Sequence, residues 1–470
     1  MKLSSAFIAV VALVGVSVNA QFPCASSPVR KEIRSLSSQE WGRVSKVLRT
    51  MQDSGWFGWF AYMHNQNYLI VHGSEYFFPW HRRYIRDFES VAQQIDRNFV
   101  LPYWDELRDY ANPAGSAVMS SKYLGGNGQG SNRCVTNGLQ GNWALSFPNR
   151  HCLQRQYNGG NRINSWSSPE SIQSILSRST KMSQLRPGIE YSLHGDIHIA
   201  LGGDMLKPYS PNDFVFFLHH ANLDRLWSLW QIMNPVQNFW SMDGVDNNGR
   251  PIGYGTPLPH YNDPIISTMR LGMNNMCFFY DNGGSVTSRS LDKRDTTGQK
   301  CIPRPPAAIP ALVEGVFNDV NALPVPADAY VHTTIAQKLP APVLNKWFPT
   351  YTPGVGLNNT VSYSAADIPS TPIYSNTPPV GNVSGECKDN SLYNSAEVYS
   401  EEYHAFDLAS DAKGGPKYPM PYSSPMTDSF IKMHNYPMSE IRKQRALALE
   451  FVRDMNAAGY QSPFAKGATA

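Results

Sequence analysis

Histidines at metal-ligating spacings are the residues whose types and positions promise chemistry in this chain. His194 and His198 stand four apart in E-Y-S-L-H-G-D-I-H, so on a helix both imidazoles rise from one face. His219 and His220 follow as an adjacent pair in V-F-F-L-H-H-A-N-L-D-R-L-W. A second group, His64, His72 and His81, lies upstream in M-H-N-Q-N-Y-L-I-V-H-G-S-E-Y-F-F-P-W-H-R-R-Y. A lone buried histidine is ordinarily a hydrogen-bonded core residue. Three on neighbouring apolar helices need partners, and a shared metal ion supplies one for each. Two such triplets predict two metal ions with neutral nitrogen ligands and open positions. No carboxylate or cysteine stands among these ligands. That argues for copper over a di-iron centre, with its Glu-x-x-His pairs, and over a Cys-rich structural zinc site.

The elements that must position these residues are also readable. Leu223, Leu226, Trp227 and Trp230 recur at helical spacing, placing His219 and His220 near the start of a buried helix. Ile85, Phe88, Ala92 and Ile95 mark another helix after His81, with Pro79 just before it. Residues 30–53 contain an amphipathic helix with Ser37-Ser38 at its cap and Trp41, Val44, Val47, Leu48 and Met51 on one face. Another helix covers Pro169 to Arg178, and a last one runs from about Ser439 to Ala457. The Gly-, Asn- and Ser-rich stretch 110–165 reads as a long surface excursion stapled by Cys134 and Cys152; it either shapes a cleft mouth or is a structural insertion.

A formal charge of +3 on 470 residues speaks against nucleic-acid or membrane-surface binding as the main activity. Met1 to Ala20 has the Lys, apolar run and small-residue ending of a secretory signal peptide, so the chain is expected outside the cell. No other stretch has the ~18 consecutive apolar residues of a membrane span. Six cysteines (24, 134, 152, 277, 301, 387) in a secreted chain predict disulfides, with connectivity open. Asn358 and Asn382 head glycosylation sequons. Fourteen of the 35 prolines fall between Pro303 and Pro379, which leaves no room there for a long helix and favours strands and loops. Lys293-Arg294 is either a processing site or two solvated charges.

The two histidine groups resemble those of the type-3 copper proteins, the tyrosinase, catechol oxidase and haemocyanin group. H-x8-H followed by R-R-Y, L-P-Y-W-D at 101–105 and S-P-N-D-x-x-F-F-L-H-H-A-N-L-D-R-L-W-x-x-W-Q carry the resemblance, which spans roughly residues 30–283. It implies a mainly α fold: a four-helix-bundle core housing a dinuclear copper site, with a strand-and-loop, Pro-rich C-terminal extension ending in a helix. The corresponding domains are a signal peptide (1–20), a catalytic domain (21–285) and an extension (286–470) that covers the active site in some relatives. The resemblance assigns one copper ion to His64, His72 and His81 and the other to His194, His198 and His220. Adjacent helical residues point about 100° apart, so both cannot reach one ion, and the resemblance implies that the second of the pair, His220 and not His219, is the ligand. Asn222, Asp224 and Arg225 are expected to orient imidazoles through their other nitrogen, and Phe216 to pack against the second copper. Glu190 matches the family's acidic residue that holds a water near the coppers, a position suited to accepting a phenolic proton. Its alternative is a solvent-facing carboxylate at a helix start. An N-terminal arginine, Arg30, is expected beside the aromatic C-F-F-Y at 277–280.

The implied activity is oxidation of small o-diphenols to o-quinones with dioxygen as co-substrate. Two departures from the family bear on it. No cysteine in 65–71 is available for the thioether many members make to the second histidine. The residue after His194 is Gly195, where monophenol hydroxylases often have Asn, and Ile199 after His198 adds no polar group; both weaken the case for monophenol hydroxylation. A haemocyanin-like dioxygen-binding protein is the alternative, and a di-zinc hydrolase lacks its bridging carboxylates. The sequence leaves the oligomeric state open. The isolated histidines 151, 260, 332, 404 and 434 read as surface or core residues.

Overall fold

The computed structural model describes residues 24–281, 339–349, 420–460 and 462. Helix α1 (Ser38–Asp53) opens on a capping box: the Ser37 hydroxyl accepts from the Glu40 N–H, and the Glu40 carboxylate accepts from the Ser37 N–H. Val44, Val47, Leu48 and Met51 form its buried face. Gly55, at φ 79°, turns the chain directly into α2 (Trp56–Val71), a conformation that costs a side-chain-bearing residue far more. A short turn leads to α3 (Phe77–Ile95), with Pro79 inside its first turn, where a missing N–H leaves no bond unmade.

The excursion that follows is mostly turns, with one antiparallel strand pair, β2 (Ala144–Leu145) against β3 (His151–Cys152), beside the Cys134–Cys152 disulfide. Ser168 caps α4 (Pro169–Arg178). Helix α5 (Met182–Ile189) contains Pro187 and runs into one wide π turn, Glu190–His194, before α6 (Gly195–Leu201). Wide turns of this kind concentrate at functional sites. Helix α7 (Val215–Met233) and a single turn, α8 (Pro235–Asn238), complete the central unit.

Four helical rods, α2, α3, α5–α6 and α7, make the bundle, with α1 outside α2 and α3. Its centre is aromatic: Phe88 stacks on Phe217 at 3.7 Å, and the Tyr84 hydroxyl donates to the Phe60 carbonyl at 2.7 Å. Buried charge is paired. Arg82 ion-pairs with Asp224 and stacks on Trp227 at 3.6 Å, tying α3 to α7. Strand β1 (Val29–Arg30) pairs in parallel with β4 (Phe279–Tyr280), and the Cys24–Cys277 disulfide clamps the same seam. Arg30 there lies 3.4 Å over Phe278 and bonds Glu89 at 2.8 Å, the expected packing on the aromatic segment.

Three more helices are described beyond residue 281: α9 (Ala341–Trp347), α10 (Asp428–Met433) and α11 (Met438–Ala457). Helix α11 begins within a residue of its predicted start, and its Ile441, Phe451, Val452 and Met455 pack inward against α9, α4, α5 and the π turn. Helix α9 is a seven-residue piece inside the Pro-rich stretch. The expected signal peptide, Lys293-Arg294, Cys301, Cys387, His332, His404 and both sequons lie outside the described residues. No described helix is long and apolar enough to cross a membrane.

Candidate metal centre

Seven imidazoles meet at the heart of the bundle. His64 projects from α2, His72 follows that helix directly in extended backbone, and His81 sits in α3. His194 closes the π turn, His198 rides on α6, and His219 and His220 lie on α7. The helix-borne first triplet is thus two helical residues and one helix-capping residue: β-like backbone at His72 swings its ring back over the end of α2.

Ligand atoms of His64, His72 and His81 all lie within 4.8 Å of one another, as do those of His194, His198, His219 and His220. The clusters face each other, His81 stacking on His220 at 4.2 Å and His72 on His194 at 5.5 Å. All seven side chains are buried. Burial holds every one of them below the ordinary histidine pKa, His64 down to about 4 and His219 to about 3, so the rings are neutral and able to ligate.

Backbone carbonyls set the tautomers. Nδ1–H of His64 donates to Pro208 (2.6 Å), of His72 to Tyr68 (2.8 Å), of His81 to Phe77 (2.7 Å), of His194 to Glu190 (3.3 Å) and of His198 to Met205 (2.5 Å). Three of these acceptors lie four residues before their histidine, as helix geometry dictates. Nε2 of His64, His81, His194, His198 and His219, and both nitrogens of His220, are buried with no hydrogen-bond partner among the described residues. Burying so many nitrogens without partners is costly, and shared metal ions satisfy them. The donor set therefore fits two nitrogen-preferring ions such as copper.

Other expected site residues are placed differently from their assigned tasks. Asn222 donates to Glu106 and accepts from Arg225, while Asp224 bonds Arg82 and Tyr280; neither touches an imidazole. Backbone carbonyls hold Nδ1 of five of the seven rings, the task these side chains were expected to perform. Glu106, next to Asp105 of the L-P-Y-W-D motif, takes the His219 Nδ1–H at 2.6 Å. His219 itself lies inside the second cluster despite its helical angle to His220. Phe216 wedges between the clusters, 4.2 Å from His220 and 4.9 Å from His64.

Glu190 is fully buried rather than solvent-facing. One oxygen accepts from the Gly73 N–H (2.7 Å) and the Tyr436 hydroxyl (2.9 Å), the other from Arg186 (2.8 Å). Burial raises its pKa and the Arg186 guanidinium opposes that rise. Tyr436 belongs to a C-terminal patch over the site. Phe430 lies 6.2 Å from the His198 ring, and His434 sits 5.2 Å from His72 and 6.3 Å from His194. His434 donates through Nδ1 to the Phe430 carbonyl and accepts the Tyr68 hydroxyl at Nε2 (2.6 Å). Gly195 and Ile199 face the same patch, Gly195 beneath Met426 and Ile199 in its apolar cluster. His434, read as an isolated residue, is thus part of the site's roof. Its distance in sequence hid it, whereas Arg186, which the sequence reading also missed, carries a local signal in its i, i+4 spacing to Glu190.

Two buried imidazole clusters facing each other inside a helical bundle define the class: a protein built around a paired metal-ligand site. Residues 54–233 match the common central domain of tyrosinase. The tyrosinase of Streptomyces antibioticus is 30% identical over 245 residues, 47% of this chain and 88% of that protein. The tyrosinase of Streptomyces lincolnensis is 32% identical over 229 residues, 43% of this chain and 82% of that one. The chain belongs to the tyrosinase family of copper-binding oxidoreductases. Among solved structures, a variant of the polyphenol oxidase of Thermothelomyces thermophila superposes with a TM-score of 0.46 at 19% identity, covering 54% of this chain and 88% of that one.

Proposed function

We propose that the chain is a secreted polyphenol oxidase that oxidises o-diphenols to o-quinones, with two copper ions held by His64, His72 and His81 and by His194, His198 and His220. The observation that carries this reading is the set of buried, partnerless ring nitrogens in two facing clusters, with five neighbouring Nδ1–H groups tied to carbonyls. His220 is preferred to His219 because its ring stacks on His81 of the other cluster. When bound, the copper pair supplies the two-electron exchange with dioxygen that diphenol oxidation requires. The neutral imidazoles hold it, Phe216 and the aromatic core exclude water, and Glu190 is the base that accepts a phenolic proton.

Residues 420–460 act as a cover in this reading. Phe430 and His434 pack beside His198, His72 and His194, Met426 lies over Gly195 and Tyr436 bonds Glu190, while Ser462 anchors the far end by donating to buried Glu170. The second reading, a dioxygen-binding protein, draws on the same cover, which would admit dioxygen and refuse a phenol. Copper-loaded protein assayed with 4-methylcatechol and then tyrosine, before and after limited proteolysis, separates the two. Quinone from catechol, increasing after proteolysis, is the expected result. Reversible dioxygen binding with neither phenol oxidised after cover removal overturns it.

A further inference from the structure

Arg186 lies one helical turn before Glu190, and its guanidinium is the cation of a buried group that joins α5 to the loop after α2. Nη1 donates to Glu190 Oε2 at 2.8 Å and to the Tyr191 hydroxyl at 3.0 Å, while Nε reaches Glu75 Oε1 at 3.3 Å. Two buried carboxylates therefore share one arginine. Gly244 packs tightly against Glu75: a side chain there would collide with the Glu75 carboxyl group.

The donors on Glu190 divide its two oxygens. Oε2 is held by Arg186. Oε1 accepts from the N–H of Gly73, the residue that follows His72, and from Tyr436 of the cover. Leaving of the cover removes only the Tyr436 bond. Oε1 then has one acceptor direction open, still registered to the first histidine cluster through Gly73, while Oε2 remains engaged. A carboxylate free to rotate would present either oxygen at variable distance, and misplacement on the scale of 1 Å is costly to catalysis.

We propose that Arg186 is a positioning residue for the phenol oxidation: it fixes Glu190 through Oε2 so that Oε1 alone receives the phenolic proton, and Glu75 fixes Arg186 in turn. This rests on the reading of Glu190 as the base. The bidentate reach of a guanidinium, from Glu190 on one side to Glu75 on the other, is what a lysine ammonium cannot reproduce.

The test is a double-mutant cycle in the copper-loaded full chain after limited proteolysis, with 4-methylcatechol as substrate and copper content measured on every variant. Glu190→Gln is expected to lower kcat by roughly a hundredfold or more, the scale of a lost general base. Arg186→Gln is expected to lower kcat roughly tenfold, with KM within about twofold and two coppers per chain retained, and Arg186→Lys to recover part of the loss. Introduced into Glu190→Gln, Arg186→Gln is expected to change kcat less than about twofold, because the group it positions is gone. An equal loss in both backgrounds, or copper loss in Arg186→Gln, overturns the positioning role. Full kcat in Glu190→Gln overturns instead the reading of Glu190 on which it rests.

Discussion

The hydroxyl of Tyr436 donates to Oε1 of Glu190 across 2.9 Å, joining two residues 246 positions apart in the chain. Both partners are buried, and the acceptor sits one turn from a metal-cluster histidine. A C-terminal phenol thus occupies the oxygen on which the proposed chemistry depends. A hydrogen bond to a charged group contributes about 1.5–3 kcal/mol, and 1.4 kcal/mol is a factor of ten in an equilibrium. Tyr436→Phe keeps the ring packed on His434 and Tyr191 but removes that bond. It is expected to raise catechol oxidation by the uncleaved chain about tenfold and to leave the proteolysed enzyme unchanged. An uncleaved Tyr436→Phe chain as slow as the wild type shows that other contacts hold the cover.

Gly195 offers a second handle on the same cover. It is helical, so its backbone asks for no glycine; what asks for one is the space above it. A methyl group there would collide with Met426 Cε and come 3.6 Å from Phe430 Cε1. Overpacking of this kind costs about 1–3 kcal/mol, at the lower end where a flexible methionine yields. Gly195→Ala is therefore expected to raise the rate of the uncleaved chain severalfold, and Gly195→Ala with Met426→Ala to return it to the wild-type rate. Equal rates for the single and double variants mean that the added methyl acts on the site and not through Met426.

Much of the centre was legible because metal-ligand chemistry leaves sequence-local marks. The i, i+4 spacing of His194 and His198 and the apolar periodicity after His81 and His220 name the elements as well as the residues. The periodicity of α11 and the cap at Ser37 were legible for the same reason. The roof was not: His434 and Tyr436 reach the site only by tertiary folding of a remote segment, and no local pattern distinguishes them from core residues. The supporting bonds were hidden for a different reason. Backbone carbonyls of Pro208 and Met205 carry no residue-type signature, so residue type alone points to Asn222 and Asp224 as orienting groups although they serve Glu106 and Arg82.

The Glu106–His219 pair makes a prediction about metal retention. Glu106 accepts from His219 Nδ1 and from the Asn222 side chain, and burial pushes its pKa well up, opposed by the Asn222 bond. Glu106→Ala leaves two buried donors without an acceptor, each costing about 1–3 kcal/mol. The His219 ring packs against those of His194, His198 and His220, so its displacement is expected to weaken copper binding by up to about tenfold, the lower end of what loss of a ligand's own partner costs. Copper titration of the metal-free chain is expected to show the weakening at one of two sites in Glu106→Ala. Equal weakening at both sites, or none, removes Glu106 from the support of the second cluster.

His151 and Asp204 predict a pH dependence of stability away from the imidazole clusters. His151 Nε2–H donates to Asp204 Oδ1 at 2.8 Å and Nδ1–H to the Asn149 carbonyl at 2.7 Å; Tyr209 is the neighbouring ring. Asp204 also accepts from the Gln154 N–H and the Asn212 amide. It opens the turn whose Met205 carbonyl holds His198, and Pro208, just beyond, holds His64. The bond to Asp204 raises the His151 pKa above the ordinary 6.5, with burial opposing. A histidine with a raised folded-state pKa stabilises fully below its unfolded pKa, and the contribution is lost as pH rises through the folded value. The thermal midpoint of the metal-free chain should therefore lose a stabilising contribution above about pH 6.5, and His151→Gln should lack that component of the slope. Because His151 is partly exposed, the difference is expected to be modest and to shrink with salt. Parallel pH profiles for wild type and His151→Gln would show that this pair does not bind the Met205–Pro208 turn in place.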